Sequence, residues 1–257
     1  MSEAAGTPAG GTPGRATDGT LGRTAAGEGA ASGPSWLGAT VFLTAGQERT
    51  EPGWQRLDEL LAPDRLQARQ RAVSQQLSPL AARPEAGEEC AWALVALNLT
   101  GWILAPATAY GLDGLRPRSS WPDALRVRAQ RLGPLELGIC TDRVEHPVGA
   151  GGAAPGPALA DLAALLAAGL QAAGAPRIQV TSALASTLNT LAAELPAHLG
   201  GTEALVSWLW EALVRAPARL SGRPGSGQFR RPACCGLVGM SGDPRSACGD
   251  CPRSHRG

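Results

Sequence analysis

The stretch "CAWALVALNLTGWILAPATAYGL", Cys90 to Leu112, runs for 23 positions without a charged side chain. A run of that length reaches the span of a bilayer-crossing helix. Its composition points elsewhere. Asn98, Thr100, Gly101, Thr108 and Tyr110 are polar or weakly apolar, and Pro106 is expected to break the helix near its end. Glu88 and Glu89, not a basic cluster, flank its start. These features favour a buried central helix around which the rest of the chain packs.

Working outward, "WLGATVFLT" (Trp36 to Thr44) is apolar and rich in β-branched residues, and reads as a strand. Gly53 to Leu61 reads as a short helix. Pro63 to Leu77 reads as a second, with proline in its first turn and an Arg/Gln-rich solvated face. Pro122 opens a helix to about Arg131. "PLELGIC" (Pro134 to Cys140) alternates Leu135, Leu137 and Ile139 with Glu136, Gly138 and Cys140, the period of a half-buried strand. Ala158–Ala173 is an Ala/Leu helix. Thr181–Leu195 places Leu184, Leu188, Leu191 and Leu195 on one helical face. Thr202 caps a last helix that ends at Arg215, before Pro217. The expected fold class is α+β: a mainly helical domain over 36–220 with a few β-strands.

With 44 % apolar residues, the 257-residue chain can build one sizeable core. Residues 1–35 are small, polar and rich in Gly and Pro. They have no apolar export segment and are expected to be a disordered tail. The expected location is therefore the cytoplasm. All basic residues are Arg, which reflects genome composition more than function. Net charge is +1 with both signs interspersed, so no nucleic-acid partner is expected. His146, His198 and His255 are scattered and suggest no catalytic triad. "GAGGAAPGP" (Gly149 to Pro157) mimics a dinucleotide-binding glycine pattern, but Pro155 and Pro157 deny it the strand–turn–helix context that pattern needs.

Past a Gly/Ser/Pro loop at Leu220 to Gln228 comes "FRRPACCGLVGMSGDPRSACGDCPRSHRG", Phe229 to Gly257. It carries four of the six cysteines: adjacent Cys234 and Cys235, then Cys248 and Cys251 as Cys-x-x-Cys. A reducing compartment disfavours disulfides. A thiol–disulfide enzyme would need a helix starting at the Cys-x-x-Cys pair, and none is expected there. Structural zinc favours two separated knuckles, and neighbouring Cys234 and Cys235 make a poor one; zinc, with His255 as an added ligand, stays an alternative. Four thiolates within 18 residues, interleaved with Gly236, Gly239, Gly242 and Gly249, best suit a [2Fe–2S] cluster. Arg230 and Arg231 would offset its negative charge, attract an anionic substrate, or simply be solvated. Cys90 and Cys140 lie in apolar stretches and read as small, dispensable core residues.

This segment resembles that of the FhuF-like ferric siderophore reductases. The likeness rests on the Arg-rich lead "FRR" (Phe229 to Arg231), the pair Cys234–Cys235 and "CGDCP" (Cys248 to Pro252), and covers about the last 30 residues. Two features depart from that family. Twelve residues separate Cys235 from Cys248, two more than its usual spacing, and "GLVGM" stands where Leu and aromatic residues are common. The resemblance implies a cytoplasmic oxidoreductase whose C-terminal segment (221–257) holds a [2Fe–2S] cluster on Cys234, Cys235, Cys248 and Cys251. Its substrate would be a ferric siderophore, and its electron donor a reduced flavin or a redox protein. Peripheral contact with the inner face of the membrane is left open. The alternative is a non-enzymatic zinc- or iron-binding regulatory protein, or one that binds a siderophore without reducing it.

Overall fold

Thr40–Leu43, a β-branched and aromatic run, forms strand β1. Thr44 ends it and caps helix α1 (Ala45–Thr50): its hydroxyl accepts from the Gln47 N–H at 3.3 Å, and the Gln47 side chain accepts from the Thr44 N–H at 3.0 Å. The computed structural model describes residues 40–81, 84–129, 135–146, 156–194, 229–241 and 250–252. The expected tail at 1–35, residues 149–155 of the glycine-rich stretch Gly149–Pro157 and the helix from Thr202 lie outside them; the last two residues of that stretch, Gly156 and Pro157, are not loop but open a helix.

The other elements are β2 (Gln55–Arg56), α2 (Leu57–Leu60), α3 (Pro63–Leu77), α4 (Pro84–Leu99), a π-helical turn (Thr100–Leu104) and α5 (Ala105–Leu112). They are followed by β3 (Arg116–Pro117), α6 (Trp121–Ala124), β4 (Leu125–Ala129), β5 (Leu135–Cys140), β6 (Val144–Glu145), α7 (Gly156–Ala172), α8 (Arg177–Glu194) and α9 (Leu237–Ser241). The described residues thus mix helices with a few strands, with helix dominant.

The main sheet has the order β1-β5-β4-β2. β1 runs parallel to β5, while β4 is antiparallel to both β5 and β2. β3 and β6 form a separate two-stranded pair. Two expectations need correction. Gly53–Leu61 is not one helix, because Gln55–Arg56 pairs with Val127 and Arg126 before α2 begins. Nor does Pro122–Arg131 form a helix. Ser120 caps a single turn by accepting from the Asp123 N–H at 3.3 Å, and the chain then extends as β4. There Arg128 faces Glu136 across the ladder, bonded from Nε at 2.8 Å, and stacks 4.5 Å from the Trp54 ring centre.

β5 is more buried than its alternation suggests. Gly138 and Cys140 are buried along with Leu135, Leu137 and Ile139. A Cβ on Gly138 would collide with Leu43 and stand 3.1 Å from Trp54 Cζ3, so only glycine lets those side chains cross the strand.

Cys90–Leu112 is one continuous helical run and the centre of the core, with 72 % of its most apolar window buried. It packs against α3, α7, α8 and β5. Pro106 does not break it. Proline lacks a donor and crowds the carbonyl of the preceding turn, and the wider π turn just upstream absorbs the mismatch. At that turn the buried Thr187 hydroxyl donates to Thr100 Oγ1 at 2.9 Å, and Thr100 donates to the Ala96 carbonyl at 2.9 Å.

A candidate metal centre on the cysteine segment

Phe229 anchors the cysteine segment: its ring is 1 % exposed and belongs to the main core cluster. Two residues on, Arg231 meets Asp250. The Arg231 N–H donates to the Asp250 carbonyl at 3.0 Å, and Arg231 Nε lies 3.0 Å from Asp250 Oδ1. Both side chains are buried, 2 % and 8 % exposed. Arg231 is therefore not a solvated side chain: it is buried against the Asp250 carboxylate. It clamps the chain leading into Cys234 against the chain leading into Cys251.

The segment then docks on α8. The Ser182 hydroxyl donates to the Ala233 carbonyl at 2.9 Å and accepts from the Ala233 N–H at 3.1 Å. Gln179 Nε2 donates to the Cys234 carbonyl at 3.3 Å. Past the cysteine pair, Gly236 takes φ +89°, a conformation that costs other residues strain. A Cβ there would also come within 3.2 Å of Cys90 Cβ. This turn launches α9, whose Met240 packs with Cys90, Ala91 and Leu77. The body elements that receive the segment are thus α4 and α8.

This framework brings Cys234 Sγ to 4.0 Å from Cys251 Sγ. Cys234 is partly exposed; Cys251 is fully buried and Cys235 nearly so, at 0 % and 2 %. The Gly236 N–H donates to Cys234 Sγ at 3.4 Å. Burial holds the Cys234 thiol above its ordinary value. The Gly236 N–H pulls the other way, and the neighbouring Cys251 and Cys235 add to the rise. Thiols crowded in this way resist joint ionisation unless a cation compensates them.

Of the four expected ligands, Cys234, Cys235 and Cys251 are described, while Cys248 and the alternative ligand His255 lie outside the described residues. Among the described residues, no group of three His, Cys, Asp or Glu side chains is assembled closely enough to hold a metal ion. Cys90 and Cys140 are both fully buried, as expected of core residues. Cys140 donates to Glu48 Oε2 at 3.6 Å in a separate cluster, and burial pushes it up to about 11. Cys90 instead sits under the cysteine segment. Burial, then Cys235 and Cys234, push it up to about 12, which keeps it a neutral thiol. That position was not readable from its apolar surroundings. No known protein family, curated protein or solved structure matches the chain.

Proposed function

We propose that the protein is a ferric siderophore reductase whose C-terminal segment holds a [2Fe–2S] cluster. The observation that carries this reading is the approach of Cys234 and Cys251 from 17 residues apart to a 4.0 Å sulfur–sulfur distance, with Cys235 buried beside Cys234. Cys234, Cys235 and Cys251 would hold the cluster together with Cys248. Bound there, it would supply electrons one at a time, taken from a reduced flavin or a redox protein.

The substrate is siderophore-bound Fe(III), which accepts one electron and leaves as Fe(II). Hydroxamate and catecholate oxygens are hard ligands that hold Fe(II) far less well. The chain's own residues have positional tasks. Arg231 and Asp250 fix the two thiol-bearing segments. Ser182 and Gln179 tie them to α8. The Gly236 N–H favours the thiolate form of Cys234. The partly exposed flank of Cys234 is where a ferric complex would approach.

Anaerobic protein made with iron should be brown and bleach on chemical reduction, and it should release Fe(II) from ferric siderophores to a ferrous chelator. Brown protein that binds a ferric siderophore without releasing Fe(II) would be a binding protein. Colourless protein carrying zinc would overturn the proposal and favour a structural or regulatory zinc clip.

A further inference from the structure

We infer that Cys234 and Cys251 are a reversible dithiol–disulfide pair, in which Cys234 meets the oxidant and Cys251 resolves the adduct. This modification site needs no metal. The two sulfurs lie 4.0 Å apart although 17 residues separate them in the chain. A disulfide needs about 2.05 Å, so about 2 Å of closure remains, which rotation about the two Cα–Cβ bonds can supply. The fold has already met the entropic cost of bringing distant thiols together. Arg231, three residues before Cys234, bonds through backbone and side chain to Asp250, which directly precedes Cys251. The Ser182 hydroxyl holds Ala233 by both its N–H and its carbonyl.

Exposure divides the two roles. Cys234 is partly exposed, whereas Cys251 is 0 % and Cys235 2 % exposed. A small-molecule disulfide therefore meets Cys234 first. Exchange runs through a thiolate, and the Gly236 N–H, 3.4 Å from Cys234 Sγ, favours that form. Cys234 loses its proton to water, attacks one sulfur of the small disulfide and expels one small thiol, leaving a mixed disulfide. Cys251 then loses its proton, attacks Cys234 Sγ and expels the second small thiol. Two protein thiols and one small disulfide thus become one protein disulfide and two small thiols. The protein gives up two electrons and two protons, and excess small thiol reverses both steps. Cys90, fully buried beneath the Gly236 turn, stays a thiol throughout.

Oxidised glutathione, added to reduced, metal-free, full-length protein, tests the pair. Peptide mapping should find Cys234–Cys251 as the main bridge, and reduced glutathione should undo it. Cys251→Ser should halt the reaction at a glutathione adduct on Cys234 that wild type does not accumulate. Cys234→Ser should leave Cys251 unmodified. Absence of the bridge, a main bridge from either residue to another cysteine, or an adduct that persists on Cys234 in wild type would overturn the inference. The wild-type map decides alone where a variant does not fold. The pair does not depend on the proposed cluster. Purified protein with iron and sulfide that forms no such bridge once stripped would overturn the pair and leave the proposed function standing; the bridge in protein that holds neither would do the reverse.

Discussion

Asp250→Ala should open the cysteine segment without unfolding the body. In the wild type, Arg231 and Asp250 are 2 % and 8 % exposed and lie 3.0 Å apart. Removing one partner of a buried pair strands the other charge and costs about 3–5 kcal/mol. The Arg231–Asp250 contact joins the two thiol-bearing segments, whereas Phe229 is anchored separately in the core. The cost should therefore fall on local opening of the segment that carries Cys251. At 1.36 kcal/mol per decade, it corresponds to roughly two to nearly four orders of magnitude in the opening equilibrium. Cys251 is fully buried, so it reacts with iodoacetamide only when that segment opens. Labelling of Cys251 in metal-free protein, followed by mass spectrometry, should accelerate by that factor until opening is complete. Cys90 should stay protected, and the urea midpoint should change little. An unchanged Cys251 labelling rate would refute the clamp, and equal acceleration at Cys90 would show that the pair stabilises the whole fold.

Three further outcomes follow from the packing. Gly138→Ala should lower stability by about 1–3 kcal/mol, because its methyl enters the space of Leu43 and Trp54; urea denaturation measures this. Gly236→Ala meets both a left-handed backbone and Cys90, so it should cost about 1–2 kcal/mol and lower metal incorporation, read as iron per chain. Burial alone would raise the Glu48 carboxyl, but Arg126 and Arg143 outweigh it and hold it below its ordinary 4.5. A depressed carboxyl stabilises the fold above 4.5 and loses that contribution as pH falls through its folded value. Glu48→Gln should therefore cost about 1.5–3 kcal/mol near neutrality, with the gap to wild type closing below that pH in urea titrations.

The legible parts of the fold were those with a local signal. Pro63 marks the first turn of α3, and the helix ends at Leu77 as its sequence indicates. The charge-free run from Cys90 reads as a core helix because its length and composition leave few other places for it. The sequence does not show that Pro106 is accommodated, since that depends on a π turn braced by Thr187 from another helix. β4 is not legible because a proline-initiated turn announces where a helix starts but not that it stops after four residues. Two-residue strands such as β2 and β3 are too short to carry any period. At the site, the sequence places Cys234, Cys235, Cys248 and Cys251 in one segment, but the approach of Cys234 to Cys251 across 17 residues has no sequence signal. The pairing of Arg231 with Asp250, and the seat formed by Cys90, Gln179 and Ser182, are tertiary contacts between distant positions with no sequence period to betray them.

Iron and acid-labile sulfide in anaerobically purified protein test the central claim most directly. A [2Fe–2S] centre predicts about two irons and about two sulfides per chain, with visible absorption that bleaches on reduction. Stoichiometric zinc with no sulfide would contradict it.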